Sequence, residues 1–231
     1  MRLTFYAHAT YTISLDGKHV LIDPFFTGNP IFKKDQSLAQ GYINELPVDF
    51  ILVTHAHHDH VSDVEAIAKR TGATVISNYE IAFYFAEKGL KTIGLNYGSF
   101  VDFEFGKIKY VWATHSSTFE DGSYGGNPGG FVLQTDQGNV YIAGDTALTQ
   151  EMKLIPLFTE LDLAVLPIGG VFTMGPIEAV FASDFLGCDR VLGVHYDTFS
   201  MIAIDHDAAR GIFTEKGKEL ILLGSGKSLE V

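Results

Sequence analysis

The feature that most constrains the fold of this chain is a cluster of histidines and an aspartate directly after a short apolar run. The run FILV (50–53) predicts a buried strand, and it leads into the segment HAHHDH (55–60). Alternate side chains of an extended strand end point the same way, so His55 and His57 can reach one ion together. The chain then turns, which directs Asp59 and His60 toward a neighbouring position. This spacing predicts a metal site at the end of the strand.

Three further ligand-type residues each follow another predicted strand. His115 follows YVWAT, Asp145 follows VYIAG, and His195 follows VLGV. Side chains at strand ends are held by a rigid scaffold while they stay reachable from solvent. We therefore expect all of these side chains to converge on one site. Imidazole nitrogens with a few carboxylates favour Zn²⁺, with Mn, Ni or Fe as alternatives.

Runs of β-prone residues occur in both halves of the chain. In the first half they predict strands at about 2–6, 11–15, 19–23, 50–53 and 74–77, with a hairpin turn at Asp16-Gly17. In the second half they predict strands at about 100–105, 108–114, 130–135, 139–143, 163–168, 191–194 and 219–223.

Helices are predicted between these strands. Two capping boxes, Ser62 with Glu65 and Ser77 with Glu80, predict the starts of two helices. Further helices are predicted at about 148–155, 176–186 and 206–216. The stretch 24–47 is predicted to be a long irregular loop of the kind that often forms a lid. This mixture of elements suits helices packed outside two stacked sheets, in one domain covering residues 1–231.

Composition excludes several classes of protein. Hydrophobic residues make up 46% and charged residues 19% of the 231 residues, which excludes a disordered or coiled-coil chain. The formal charge of −12 argues against a nucleic-acid partner, because binding a phosphate backbone needs clustered cations. The lone Cys188 cannot form an internal disulfide. No apolar run is long enough for a membrane span or a signal peptide, so we expect a cytoplasmic protein.

The order and separation of these motifs resemble the metallo-β-lactamase superfamily: HAHHDH, then His115, then Asp145 in AGDT, then His195. The sequence that flanks these motifs is similar to one branch of the superfamily, the compact bacterial and archaeal metal-dependent hydrolases of unassigned substrate. This branch is related to the ascorbate-phosphate lactonases. The strings that carry the similarity to this branch are FYAHAT (5–10), DPFFTGNP (23–30), THSS (114–117), GGNPGGFV (125–132) and LPIGGVFTM (166–174).

The resemblance implies an α/β fold, a four-layer αββα sandwich with a two-metal site between the sheet edges. It implies two divalent metal ions per chain, zinc being the expected one. The implied ligands are His55, His57 and His115 for one ion, Asp59, His60 and His195 for the other, and Asp145 as the bridge. A metal-bound hydroxide would then cleave an ester, lactone or phosphodiester bond of a small-molecule substrate.

Three side chains are candidates for proton transfer or for hydrogen bonds to the metal ligands. Asp59 lies where it can accept a proton as well as bind metal. His8 resembles the N-terminal histidine of the branch, which implies a catalytic role as a general acid, or support of a ligand, with plain packing as the alternative. Asp23 ends a strand and can either hydrogen-bond a ligand histidine or cap the turn. We expect the turn-capping role.

Specific features of the sequence disfavour three other functions. Members that reduce dioxygen with two irons replace the second histidine of the motif with glutamate, whereas His57 retains it here. A nucleic-acid processing enzyme would need a basic appendage, and this acidic chain has none. A non-catalytic binding module is disfavoured by the full set of ligand-type residues. Neither a nucleic-acid nor a membrane partner is expected, and a homo-oligomer is compatible with the sequence.

Overall fold

Two seven-stranded β-sheets form the centre of this computed structural model, which describes residues 1–231. The first sheet has the spatial order β14 (Lys227–Glu230), β1 (Arg2–Ala7), β2 (Thr10–Leu15), β3 (Lys18–Ile22), β4 (Phe50–Leu52), β5 (Thr74–Asn78) and β6 (Thr92–Leu95). The second has the order β13 (Glu219–Ile221), β12 (Arg190–Val194), β11 (Leu163–Pro167), β10 (Gly138–Ile142), β9 (Gly129–Thr135), β8 (Gly106–Trp112) and β7 (Val101–Phe103).

Both sheets follow the same pairing pattern. From β14 to β3, and again from β7 to β10, neighbouring strands are antiparallel. From β3 to β6, and from β10 to β13, they are parallel. Strands β1, β3 and β4 therefore have their carboxyl ends on the same side of the first sheet, and β8, β10 and β12 have theirs on the same side of the second. These strands are the ones that lead into the candidate ligands.

Side chains from the facing surfaces of both sheets form one central core. Ile13 and Leu52 of the first sheet and Phe131 and Val165 of the second belong to it, and all are almost completely buried. The opposite face of each sheet is covered by helices, with a separate core of its own. Alternate residues of a strand point to opposite faces, so each sheet serves two cores. The predicted αββα sandwich is confirmed.

The helices are short and lie on the outer faces. Those on the first sheet are α1 (Gln36–Glu45), α3 (Val64–Thr71) and α4 (Tyr79–Glu87), with the single turn α2 (His58–Val61) at the edge. Those on the second are α5 (Pro176–Leu186) and α6 (His206–Thr214), with a 3₁₀ helix (Gln150–Leu157). Two short 3₁₀ turns are Pro30–Phe32 and Ser200–Ile202. None of these helices has the length and apolar character that crossing a membrane requires.

The prediction of a long irregular loop at 24–47 was wrong. The segment contains α1, which begins after Asp35, whose side chain accepts a hydrogen bond from the Leu38 amide at 3.1 Å. Gly41 disfavours a helix by its backbone freedom, but it lies within α1 with open space around it. The predicted helix at 148–155 is a 3₁₀ helix shifted to Gln150–Leu157, and it contains Pro156, which cannot donate an α-helical hydrogen bond.

Both predicted capping boxes were also wrong. Ser62 donates its hydroxyl to Asp63 Oδ2 at 2.9 Å, and α3 begins one residue after Asp63. Asn78 caps α4 by accepting from the Ile81 amide at 2.8 Å, while Ser77 stays within β5. Asparagine is as good a capping residue as serine, so the pattern selected the wrong side chain at α4. At α3 the N-cap residue is Asp63, whose carboxylate accepts from the Phe26 and Thr27 amides instead of capping the helix. The short edge strands β6 and β14 were not predicted.

Gly125 allows the loop after β8 to approach the histidine cluster closely. A Cβ at this position would lie 2.3 Å from the Ala56 Cβ and 2.6 Å from the Ser117 Oγ. The Ser117 hydroxyl donates to the Gly125 carbonyl at 2.8 Å and accepts from the Ala56 amide at 3.1 Å. Ala56 lies between His55 and His57, so this contact holds the cluster in place.

We expect Gly125→Ala to lower the free energy of unfolding by about 1–3 kcal/mol, because the added methyl group has no space. The control is Gly211→Ala within α6, where nothing lies within 4 Å of the added Cβ. There alanine should raise the free energy by about 0.5–1 kcal/mol through helix propensity. Denaturant unfolding measures both. Equal effects of the two substitutions would contradict this account of Gly125.

Candidate metal centre

The structure brings all seven predicted ligands together between the sheet edges. His55 and His57 follow β4, Asp59 and His60 lie in α2, and the others follow β8, β10 and β12. Their donor atoms fall into overlapping groups whose members all lie within 4.8 Å of one another. These groups are His55, His57 and His115; His55, His60 and Asp145; and His8, Asp59, His60 and His195.

Asp145 lies at the centre of the cluster. Its Oδ2 lies 3.0 Å from His195 Nε2, 3.6 Å from His115 Nε2 and 3.9 Å from His55 Nε2. Its Oδ1 lies 3.5 Å from His60 Nε2. The carboxylate therefore borders both the His55–His57–His115 side and the His60–His195 side, as the bridging position requires.

Several buried atoms at this centre make no well-directed hydrogen bond, although the Asp145 carboxylate lies close to both Nε2 atoms concerned. They are His60 Nε2, Asp145 Oδ1 and both ring nitrogens of His195. Leaving a buried polar atom unpaired costs about 1–3 kcal/mol, and such atoms are rare in folded proteins. Four of them at one point, all of metal-ligand type, fit a bound cation. Nitrogen and carboxylate donors suit zinc or a neighbouring transition metal.

The charges of the centre are strongly coupled. Burial and the neighbouring His60 lower the pKa of His55 well below its usual value, so this ring is neutral and able to bind metal. Burial lowers the pKa of His195, but the Asp145 carboxylate outweighs this effect and raises the pKa to about 9. Burial raises the pKa of Asp145, but His195 and His60 outweigh it and hold the pKa well below the usual range. A metal that binds here would displace protons from the histidines.

The buried Asp23 orients two of the histidines, which corrects the predicted turn-capping role. Its Oδ2 accepts from His60 Nδ1 at 2.8 Å and from the Thr54 hydroxyl at 2.7 Å. Thr54 Oγ1 in turn lies 3.0 Å from His55 Nδ1. Because each Nδ1 is engaged in this chain of hydrogen bonds, the Nε2 atoms of His55 and His60 are the ones left to bind metal, His60 after it loses its Nε2 proton. Both Nε2 atoms face Asp145.

His8 contacts the centre from the other side. Its Nε2 lies 3.0 Å from Asp59 Oδ2, and its Nδ1 lies 2.9 Å from Thr198 Oγ1. The His195 amide also donates to the His8 carbonyl at 2.8 Å, which ties the two sheet edges together. Burial and the nearby His195 lower the pKa of His8 to about 4, so the ring is neutral near pH 7. Both of its nitrogens are therefore engaged.

Three of the six non-glycine residues with a left-handed φ lie at this centre. His8, Asp23 and His195 have left-handed φ angles of 57°, 43° and 56°. Non-glycine residues in this region cost of order 1–3 kcal/mol each and cluster at functional sites. Each of the three stands directly after a strand, where the turn directs its side chain into the centre. The strain is consistent with a site whose geometry matters more than local stability.

Comparison with known proteins agrees with this geometry. Residues 3–203 match the family model described as Metallo-beta-lactamase superfamily. The chain belongs to the metallo-beta-lactamase superfamily.

Similar members of the superfamily cover the whole chain. Proteins named UPF0173 metal-dependent hydrolase from Christiangramia forsetii and Flavobacterium johnsoniae are 55% and 54% identical to it, over 100% of both chains in each case. The solved structure of Igni18, a metallo hydrolase from Ignicoccus hospitalis, is 32% identical with a TM-score of 0.88. That match covers 99% of this chain and 97% of the other. The predicted superfamily and branch are confirmed.

The other three histidines, His19, His58 and His206, lie outside the centre. His19 bonds to Ser14 in a hairpin, and His206 bonds to Asp197 on the surface. His58 is about half exposed, and its Nδ1 lies 3.3 Å from Glu120 Oε2. His58 therefore lies outside the cluster, although it stands within the motif HAHHDH.

Sequence reasoning missed two residues that support the centre. Thr198 contacts His8 from a loop 190 positions away along the chain. Thr54 stands between the strand and the histidine cluster, and its hydroxyl joins Asp23 to His55. A single threonine carries no spacing signal, so only the folded geometry identifies these two.

We expect Asp23→Ala to lower the free energy of unfolding of the metal-free protein by about 3–5 kcal/mol, because it leaves buried partners of a charged group unpaired. Burial lowers the pKa of His60, but Asp145 and Asp23 outweigh it and raise the pKa well above its usual value, so the ring is charged. The control is Asp102→Ala, where the side chain is 83% exposed beside Lys107 and the change should stay within about 0.5 kcal/mol. Similar losses from both in denaturant unfolding would contradict the role of Asp23.

Proposed function

We propose that this protein is a metal-dependent hydrolase with two divalent metal ions, acting on an ester, lactone or phosphodiester bond of a small molecule. The observation that carries the proposal is the convergence of unpartnered buried ligand atoms on Asp145, between two groups of histidines. The names of the UPF0173 relatives and of Igni18 support the hydrolase class. Fold alone does not identify the substrate.

The residues present fit two ions. One would be held by His55, His57 and His115, the other by Asp59, His60 and His195, with Asp145 shared between them. Zinc is the metal we propose first, with manganese, nickel or iron as alternatives. When bound, such ions act as Lewis acids and lower the pKa of a coordinated water to about 7.

Asp59 is the group that we propose moves a proton. Its side chain is 27% exposed, whereas that of Asp145 is 4% exposed, so Asp59 is the carboxylate that can exchange protons with solvent. His8 holds Oδ2, which leaves Oδ1 free to take a proton from an attacking water. A small-molecule substrate would enter from this exposed side.

A cytoplasmic location is part of the proposal. The only cysteine, Cys188, is a buried free thiol, which is compatible with a reducing compartment. Detection of the protein outside intact cells would contradict this location.

Metal content tests the centre directly. We expect about two transition-metal ions per chain of gently purified protein, measured by plasma mass spectrometry. His57→Ala should lower this content, because it removes one ligand of the first ion. The matched control is His19→Ala, which removes a ring whose only hydrogen bond is to Ser14 and should keep the full content. Equal content in both variants would refute the ligand assignment.

Hydrolysis tests the reaction. A set of generic esters, lactones and phosphodiesters should include a substrate that the wild-type protein cleaves and that chelation protects. Asp145→Asn should nearly abolish this cleavage and lower metal content, because the shared carboxylate loses its charge. A variant with full metal content and full activity would remove Asp145 from the mechanism, while metal binding without any hydrolysis would favour a binding module.

For His8 we propose that it positions Asp59 rather than acting as a general acid, since Thr198 and Asp59 occupy both ring nitrogens. His8→Ala should then lower kcat by about 10–100-fold, the usual effect of removing a partner of a metal ligand. The loss should be the same for good and poor leaving groups. His8→Gln, whose amide can still donate to Asp59, should recover part of the rate. A loss that grows with the pKa of the leaving group, without rescue by glutamine, would instead establish an acid.

A further inference from the structure

A cavity of about 230 Å³ lies on the outer face of the second sheet, outside the candidate metal centre. The side chains of β8, β9 and β10 form its floor, and the 3₁₀ helix Gln150–Leu157 and the loop before β7 form its walls. Eleven of its fourteen lining residues are hydrophobic. An engineered apolar cavity of about 150 Å³ is large enough to bind benzene. This one can therefore accept a single six-membered ring that carries a substituent.

Lys109 brings an unpaired positive charge to this apolar space. Its Nζ lies 4.7 Å from the centroid of the Phe158 ring and 5.9 Å from that of Phe100. No carboxylate oxygen lies within 4.0 Å of it, in contrast to Lys107 on the same strand, which lies 3.5 Å from Asp102. The two rings hold the ammonium in place without neutralising it.

Tyr141 also lines the cavity, and its hydroxyl is unpaired. Its side chain is completely buried, and its hydroxyl has no hydrogen-bond partner. Tyr110 also lines the cavity, but its hydroxyl donates to the Thr54 carbonyl at 2.8 Å. A buried tyrosine hydroxyl normally has a partner, because leaving it unpaired costs about 1–3 kcal/mol.

Glu151 is the one acidic side chain that lines the cavity, and it does not neutralise Lys109. It is exposed at the start of the 3₁₀ helix, where its carboxylate accepts a hydrogen bond from the Thr149 hydroxyl. Two polar groups of the cavity therefore lack a partner, the Lys109 ammonium and the Tyr141 hydroxyl. A carboxylate satisfies both, since its oxygens accept from ammonium and hydroxyl groups alike.

We propose that this cavity is a second binding site, which takes a small carboxylic acid with a compact apolar body. None of its lining residues is a candidate metal ligand, so the proposal stands independently of the hydrolase activity. The site nevertheless adjoins the centre. The 3₁₀ helix follows Asp145 along the chain, and Trp112 Nε1 donates to Thr114 Oγ1 next to His115. A molecule bound in the cavity would therefore contact β8 and β10, the two strands that lead into His115 and Asp145.

The chain contains its own probe for this site. Trp112 is the only tryptophan, it lines the cavity, and it is 40% exposed. Titration of the full-length protein with cyclohexanecarboxylate should change the tryptophan fluorescence in a saturable way, with a Kd of about 1 mM, as expected for so few ligand atoms. Cyclohexylmethanol should bind about tenfold more weakly because it lacks the charge. Cyclohexylmethylamine, a cation, should give no saturable change.

Variants then assign the binding to the cavity. Lys109→Met removes the charge but keeps the length of the side chain, and it should weaken binding of the carboxylate by about tenfold or more. The matched control is Lys107→Met, two residues away on the same strand face, which should bind as the wild type does. Tyr141→Phe should also weaken binding, with no loss of folding stability, since its hydroxyl has no partner to lose. Unfolding curves for each variant establish that it is folded.

Three results would overturn the proposal. The first is the absence of a saturable response in the wild-type protein. The second is equal binding by Lys109→Met and Lys107→Met, which would place the carboxylate elsewhere, the metal centre included. The third is a stable dimer in sedimentation that Leu157→Asp dissociates, together with no response to the carboxylate. Leu154, Leu157 and Phe158 are exposed around the cavity, and that result would assign them to contact with a second copy.

Discussion

The hydrogen bonds of one buried carboxylate, that of Asp23, determine the orientation of much of the centre. It stands between the ends of β3 and β4, where it accepts from the Thr54 amide, the Thr54 hydroxyl and His60 Nδ1. The same side chain therefore fixes the position of two strand ends and the orientation of two rings, His60 directly and His55 through Thr54. The left-handed backbone of Asp23 is held by Thr10, whose hydroxyl donates to the Asp23 carbonyl at 2.7 Å. A strained residue in such a place persists because its surroundings over-determine it.

The centre exists only where the two sheets are stacked. His55, His57 and His60 belong to the first sheet, while the shared Asp145 belongs to the second, with His115 and His195. The central apolar core sets the separation of the sheets, and the bond from the His195 amide to the His8 carbonyl joins their edges. Packing of apolar side chains, which is not directional, thus brings the strand ends close, and a few directional bonds then align the ligand atoms.

The sequence was sufficient to predict which side chains the fold brings together, because these residues follow local rules. Each stands directly after a β-prone run, and HAHHDH carries its own spacing, so His55, His57 and His60 could be found without knowledge of the fold. The role of Asp23 could not be found in this way, because a turn cap and a partner for His60 make the same local pattern. Helix α1 was missed since Gly41 looks like a breaker, although it faces open space. Thr198 was missed because only tertiary structure brings it to His8.

The two sheets share a pairing pattern, and the difference in what covers them explains the cavity. The segment after β3 and the segment after β10 occupy equivalent positions in the two sheets. The first forms α1, whose Tyr42 packs on Tyr6 of β1 with ring centroids 4.7 Å apart and closes that face with aromatic side chains. The second contains Pro156 and forms a 3₁₀ helix, which leaves space above β8 in front of Lys109 and Tyr141. The same framework therefore carries an aromatic cluster under α1 on one side and, on the other, a cavity in which Lys109 lies without a carboxylate partner.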